Sequence, residues 1–198
     1  FAMLSGLVPV IGIIAGRCFA GNAVLLGCCD VIIATKNSNI GMAGPAMIEG
    51  GGLGRFAAED IGPSPVQEAN GVIDIIAENE NQAIALAKRY LSYFQGDESA
   101  WQYANESKLS TSLPLDRLRV YDMRLLIERL IDDDSGLELR SKFAPNIITM
   151  LARIEGKPIG LIANNPGRLG GAIDANAADK AARFVQLCNA HGLPIISL

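Results

Sequence analysis

Two glycine-rich phrases could do chemistry without an ionisable side chain: Gly16-Arg17-Cys18-Phe19-Ala20-Gly21-Asn22-Ala23 and Asn165-Pro166-Gly167-Arg168-Leu169-Gly170-Gly171-Ala172. Each follows an apolar run that reads as a strand, Pro9 to Ala15 and Pro158 to Ala163, and each leads into a small-residue stretch that reads as a helix. The first N–H groups of a helix have no partner inside it, so a strand, a side-chain-poor turn and a helix leave backbone donors facing outward. Such donors can hold an oxyanion, and losing one typically costs about 100-fold or more in rate. The alternative for either phrase is tight packing of helix on strand, where glycine serves only close approach. The residues alone leave both readings open.

Side-chain chemistry is sparse. Cys18, Cys28, Cys29 and Cys188 lack zinc-ligand spacing, and His191 is the one imidazole, so no metal centre and no histidine relay is expected. A nucleophilic pair of Cys18 and His191 would want a third, orienting group that nothing marks. The adjacent Cys28 and Cys29 read as small core residues in a reducing compartment. Asp132-Asp133-Asp134 lacks the alternate spacing of a calcium loop and reads as a solvated turn that ends a helix.

The 198 residues are 49% hydrophobic and 19% charged, a compact globular composition. A net charge of −4 recommends neither nucleic acid nor anionic membrane, and neither is expected as a partner. Arg17, Asp30 and several glycines interrupt the N-terminal apolar run before it could span a membrane, and no signal peptide is read. Phe1 at one end and the strand-like Pro194-Ile195-Ile196-Ser197-Leu198 at the other read as cuts through a larger protein.

The elements that must position the phrases follow from periodicity. Val8 to Ala15 and Asp30 to Thr35 read as strands around a buried helix, Gly21 to Cys29, which makes a βαβ-like unit. Residues 41 to 71, with Gly44-Pro45 and Gly50-Gly51-Gly52-Leu53-Gly54, read as a long functional loop. Val72 to Ala77 reads as a strand. Glu80 to Phe94 reads as an amphipathic helix with Ile84, Ala87, Leu91 and Phe94 on its core face. A polar stretch from Gln95 to Asp116 is the linker candidate, and Tyr121 to Ile131 is a further helix. Ile147 to Ile154 and Lys157 to Ala163, joined at Glu155-Gly156, form a hairpin with a two-residue turn. Ala177 to Ala190 reads as a helix with Ala181, Phe184, Val185 and Cys188 inward and Asp179, Lys180 and Arg183 on other faces. A final strand begins after Pro194.

With these phrases in place, the chain resembles the carboxyltransferase (β) subunits of biotin-dependent propionyl-, acetyl- and methylcrotonyl-CoA carboxylases and the related acyl-CoA decarboxylase subunits. The first phrase, ending in Asp30, is similar to the family's Gly-Pro-Cys-Ala-Gly-Gly-Ala-Ala segment. More specific are Asn146-Ile147-Ile148-Thr149, Ala152-Arg153-Ile154-Glu155-Gly156-Lys157-Pro158-Ile159-Gly160, Ala163-Asn164-Asn165-Pro166, Gly171-Ala172-Ile173-Asp174 and Asp179-Lys180-Ala181-Ala182-Arg183-Phe184. These resemble the opening of the family's C-terminal half, and Tyr121-Asp122-Met123-Arg124 and Glu138-Leu139 fall in the same order.

The resemblance implies an α/β fold of the crotonase-type ββα superhelix in two partial homologous domains. Residues 1–94 would end the N-terminal carboxyltransferase domain, 95–120 would be a linker, and 121–198 would open the C-terminal domain. The implied reaction moves CO2 from carboxybiotin to the α-carbon of a short acyl-CoA. Amides around Ala20 and Gly21 would hold the thioester oxygen, and those at Gly171 and Ala172 the biotin ureido oxygen. Asp174 matches an acidic residue that accompanies short acyl chains in the carboxylases, though a capping Asp is an equal reading.

Biotin would come on a carrier protein or domain, with a biotin carboxylase as further partner. In the family the two donor sets meet across a dimer interface within a hexamer, in the cytoplasm or the mitochondrial matrix. The chain departs from the family at Ala20-Gly21, where members commonly have Gly-Gly; a methyl at residue 20 is expected to leave its N–H free. Glu59-Asp60-Ile61-Gly62-Pro63 stands where many have Glu-Glu-Leu-Gly-Gly, which leaves substrate choice open. Alternatives are a biotin-dependent decarboxylase subunit, a crotonase-type hydratase or isomerase, which would need a carboxylate the first phrase lacks, and a non-catalytic assembly paralogue.

Overall fold

The computed structural model describes residues 1–102, 116 and 119–198, and residues 103–115, 117 and 118 of the expected linker lie outside them. The chain forms two compact units, Phe1–Arg89 and Tyr90–Leu198.

In the first unit the order strand, strand, helix repeats. β1 (Ile11–Ile14), β2 (Arg17–Phe19) and α1 (Gly21–Gly27) precede β3 (Val31–Thr35), β4 (Asn39–Gly41) and α2 (Pro45–Gly50), with α3 (Ser64–Ala69) and β5 (Ile75–Ala77) after them. β1 and β5 flank β3 in one parallel ladder, with Ile11 opposite Val31 and Ile33 opposite Ile75. β2 and β4 form a second, with Phe19 opposite Gly41. Each turn of chain thus adds one strand to each ladder. β3, central in its ladder, is buried at all five positions, which is why its sequence is apolar without alternation.

Aspartates seat successive strands. The Asp30 carboxylate accepts from Val10 N at 2.7 Å, and the Asp74 carboxylate accepts from Ile32 N at 2.8 Å. Packing of α1 on β1 rests on a glycine outside the phrase: a Cβ on Gly12 would lie 2.3 Å from Leu26 Cδ1. The stretch expected as one long loop, 41 to 71, is instead broken by α2, a 3₁₀ turn at Ala58–Asp60 and α3. Pro45 and Pro65 sit in the first turns of the two helices, where a missing N–H costs nothing and the fixed φ favours helix. The sequence reading also missed β2 and β4, three residues each and too short to show periodicity.

The second unit is entered along α4 (Glu80–Ser92) and contains α5 (Arg124–Leu130), β6 (Leu137–Leu139), β7 (Ile147–Ile154), β8 (Lys157–Asn164), α6 (Ala175–Ala190) and β9 (Ile195–Ser197). Its sheet runs β6-β7-β8-β9, antiparallel at the first two joints and parallel at the last. The β7–β8 hairpin has the expected register, Ile154 opposite Lys157. Glu155 and Gly156 both take positive φ, 52° and 73°, the handedness that matches strand twist in a two-residue turn.

Three readings of side chains are corrected here. Asp132 is buried rather than solvated, because its carboxylate accepts from Glu155 N at 2.9 Å and Gly156 N at 2.8 Å and so seats the hairpin turn. On α4 the buried stripe is Ala83, Ala87 and Tyr90 while Ile84 is exposed, a face rotated by one position from the expected one. On α6 the buried face includes Lys180, and Val185 is exposed.

Gly160 lets α6 approach β8, since a Cβ there would meet Cys188 Sγ at 2.5 Å. Arg153, 3% exposed, donates through Nη1 to Gly96 O and Gly156 O and through Nη2 to Ser92 O, at 2.6–3.0 Å. It ties the chain at Ser92 and Gly96 and the hairpin turn to one sheet within the second unit.

Removing the Asp132 carboxylate leaves two turn amides, the buried one of Gly156 and the part-buried one of Glu155, without their charged acceptor. Asp132→Ala is expected to lower unfolding free energy by about 2–3 kcal/mol, read as a lower urea midpoint at unchanged m-value. An unchanged midpoint would refute the seating role.

Candidate functional site

The first phrase folds as strand, turn and helix. Ala20 is the residue before α1 and holds φ 54° and ψ −124°, a conformation natural to glycine and strained for alanine. Its N–H is not free: it donates to Gly41 O at 3.1 Å and extends the β2–β4 ladder. The expectation of a free Ala20 amide is therefore corrected, because strand pairing takes that donor before the turn begins. The amides of Gly21, Asn22 and Ala23 form the open first turn of α1 and have no partner among the described residues.

The second phrase is built differently. Leu169, Gly170 and Gly171 take three successive positive φ values, 48°, 62° and 77°, in a tight turn between β8 and α6. Within it Gly171 N donates to Arg168 O at 2.8 Å and Ala172 N donates to Leu169 O at 3.1 Å, so both amides close the turn itself. The amides of Gly170 and Ile173 have no partner among the described residues.

The carbonyls of the phrase are held by asparagines. Asn164 Nδ2 donates to Gly171 O at 2.6 Å, and Asn146 Nδ2 donates to Ala172 O at 2.7 Å. Asn165 holds the neighbouring chain, with Nδ2 donating to Pro145 O at 3.2 Å and Oδ1 accepting from Gly167 N at 3.2 Å. Asp174 is the N-cap of α6: its Oδ1 accepts from Ala177 N at 2.8 Å and from Asn146 Nδ2 at 3.3 Å. Ala20 and Gly21 thus belong to the first unit, while Gly171, Ala172 and Asp174 lie in one stretch of the second.

Beneath the second phrase sits a buried cation that sequence patterning placed on an outer face. Lys180 is 1% exposed, and its Nζ donates to Ile147 O at 2.8 Å, Phe143 O at 2.9 Å and Ala144 O at 3.4 Å. Burial pushes its ammonium down to about 8, with Arg124 and Arg140 adding to the fall and Glu138 opposing it. Glu138 is itself held by Arg124, whose Nε and Nη2 reach the two carboxylate oxygens at 2.7 and 2.6 Å. No helical pattern marks a lysine as buried; the one sequence signal is its place in the family-like phrase Asp179-Lys180-Ala181-Ala182-Arg183-Phe184.

A cavity of about 620 Å³ opens beside the phrase, lined by Tyr121, Asp122, Arg124, Lys142, Asn165 and Arg168 among others. Burial raises the Cys18 thiol, and raises that of Cys188 to about 11, so neither is a thiolate at neutral pH. Among the described residues no cluster of His, Cys, Asp or Glu could hold a metal ion, and no helix is long and apolar enough to cross a membrane.

Parallel ββα turns that present backbone amides at glycine-rich corners define a protein of the crotonase-like class. The carboxyl transferase domain model matches residues 2–198, and the chain belongs to that family. It is 36% identical to the carboxylase YngE of Bacillus subtilis (strain 168) over 98% of this chain and 40% of that protein. Among solved structures, a single-chain, multi-domain long-chain acyl-CoA carboxylase superposes with a TM-score of 0.96 at 54% identity, over 98% of this chain and 20% of that one. The transcarboxylase 12S hexamer superposes with a TM-score of 0.86 at 31% identity, over 99% of this chain and 41% of that one. The chain spans about two fifths of the length of YngE and of the 12S chain.

Two outcomes test this description. Ala20→Gly removes a side chain from a glycine-like conformation and is expected to stabilise the fold by about 0.5–1 kcal/mol; a lower melting temperature would refute the strain. For Lys180, the native group gives up its proton near pH 8 while the unfolded one keeps it to about 10.5. Unfolding then takes up a proton between those values, so this group's contribution to stability rises with pH across that window. Urea unfolding at pH 7.5 and 9.5 is expected to show that rise in the parent protein and its loss in Lys180→Met.

Proposed function

We propose that this chain is part of the carboxyltransferase component of a biotin-dependent acyl-CoA carboxylase, which moves CO2 from carboxybiotin to the α-carbon of an acyl-CoA. The observation that carries the proposal is a pair of glycine-rich turns with outward amides in a chain that belongs to the carboxyl transferase domain family over residues 2–198. Residues 1–94 are read as the end of an N-terminal carboxyltransferase domain, 121–198 as the start of a C-terminal one, and 95–120 as the linker.

A neutral donor set fits both reacting oxygens, because a thioester oxygen and a ureido oxygen gain charge only as the reaction proceeds. The turn at Ala20 and Gly21, with the first amides of α1, is assigned the thioester oxygen. The turn holding Gly171 and Ala172 is assigned the ureido oxygen of biotin. When bound, carboxybiotin supplies both the carboxyl group and the base, and this agrees with a glycine-rich site that carries no histidine. Asp174 acts on substrate choice by fixing the start of α6 beside that turn. The expectation of a short acyl chain is set against a 54% identical relative that is a long-chain acyl-CoA carboxylase, so the assay spans acyl lengths.

The implied partners are a biotin carboxylase, a biotin carboxyl carrier and further copies of this chain, since the 12S relative assembles as a hexamer. The four cysteines are all free, in keeping with the cytoplasm or the mitochondrial matrix.

The full-length protein is expected to exchange carboxyl groups between a biotinylated carrier domain and acyl-CoAs from acetyl to palmitoyl, followed with labelled carboxyl donor. Gly171→Val puts a β-branched side chain at φ 77°, with its Cβ 3.5 Å from Asn164 Cβ and Pro166 N. It is expected to cut turnover about 100-fold. Folded full-length protein without biotin-dependent exchange on any of these substrates would overturn the proposal.

A further inference from the structure

The carboxyltransferase reading assigns the second glycine turn to biotin; the inference here rests on it and asks what sets the turn's donors. A peptide bond is planar and trans, so its carbonyl and N–H point opposite ways. Asn146 Nδ2 holds the Ala172 carbonyl at 2.7 Å from a side chain that is 2% exposed. The other end of that same peptide is the Ile173 N–H, on a residue 59% exposed and with no hydrogen-bond partner among the described residues. The neighbouring peptide differs. Asn164 holds the Gly171 carbonyl, but the opposite N–H, that of Ala172, is used by Leu169 O.

Asn146 is itself placed by an unusual investment of buried polar groups. Lys180 donates to carbonyls on both sides of it, at Phe143, Ala144 and Ile147. Asn165 donates from its main chain to Asn146 O at 2.9 Å and from its side chain to Pro145 O at 3.2 Å. The same Asn146 amide also reaches Asp174 Oδ1, at 3.3 Å, so one side chain references both the turn and the start of α6. A buried lysine and two buried asparagines, Asn146 and Asn165, thus converge on the orientation of one peptide.

We propose that Asn146 is a positioning residue for the biotin half of the carboxyl transfer: it fixes the Ala172–Ile173 peptide so that the Ile173 N–H stands as an outward donor toward the ureido group. Its loss leaves the fold and the acyl-CoA side intact and lets that peptide rotate.

The test uses full-length protein carrying Asn146→Ala and Asn146→Asp, the second keeping side-chain volume while replacing the donor with a carboxylate beside Ala172 O and Asp174. Two readouts are taken: kcat and KM for each substrate in the exchange reaction, and anisotropy of a dye-labelled biotinylated carrier domain, against the unbiotinylated carrier, with no acyl-CoA present. The expected result is a fall of about 30-fold or more in kcat, an acyl-CoA KM within twofold of the parent, and biotin-dependent carrier binding weakened several-fold, with Asn146→Asp at least as impaired as Asn146→Ala. Unchanged kcat and carrier binding overturn the proposal, as does a loss that falls equally on both substrates or follows only the unfolded fraction in either variant. A parent protein that shows no biotin-dependent exchange instead overturns the carboxyltransferase reading on which the inference stands.

Discussion

Three main-chain carbonyls, those of Phe143, Ala144 and Ile147, converge on the ammonium of Lys180 and flank Asn146, the residue that bonds the second glycine turn. A lysine at 1% exposure is costly, and the cost shows in an ammonium pushed down to about 8 by burial. Three charge-assisted hydrogen bonds offset it, and they work only if the backbone from Phe143 to Ile147 curls round the nitrogen. That curl carries Asn146 to the Ala172 carbonyl and to Asp174. The charge itself touches no exposed part of the turn. Its effect on the turn passes through backbone and one amide.

The two phrases reach a similar end by different means. In the first unit the donors are the open amides of α1, and the strand ladder that feeds it consumes the Ala20 amide on the way. In the second, a left-handed turn spends the amides of Gly171 and Ala172 on its own closure and leaves those of Gly170 and Ile173 outward. Glycine serves φ rather than close packing at Gly16, with φ 111°, and at Gly170, with φ 62°, since a Cβ on either would meet nothing within 4 Å. The packing glycines are elsewhere, at Gly12 under Leu26 and at Gly160 under Cys188 and Phe184.

A backbone-donor site asks more of its surroundings than a side-chain site does, because an amide can be aimed only by fixing the whole peptide. Buried polar groups in the second unit fix peptides in this way, at the hairpin turn as well as beside the second phrase. Asn146, Asn165, Asp132, Arg153 and Lys180 are each buried, and each is bonded to main chain rather than to another charged side chain alone. Side chain to main chain bonds of this kind hold loops whose peptides regular structure does not pair.

What the amino-acid sequence determined by itself are the features set by neighbours in the chain. The β7–β8 hairpin and its two-residue turn follow from apolar runs and a glycine whose φ the turn requires, and the buried parallel strand β3 follows from an unbroken apolar run. The family-like phrases, from Asn146 to Phe184, carried the fold class and the carboxyltransferase reading. Only the tertiary structure decided where Lys180 and Asp132 go, because helical and turn patterns assign charges to solvent unless distant carbonyls or amides are known to meet them. It also decided that Ala20 gives its amide to Gly41 and that α4 buries Ala83 rather than Ile84, since strand pairing and the facing surface lie far off in sequence. Donor direction is the clearest case: a peptide's orientation is set by what holds its carbonyl, and Asn146 lies 26 residues from the Ala172 it holds.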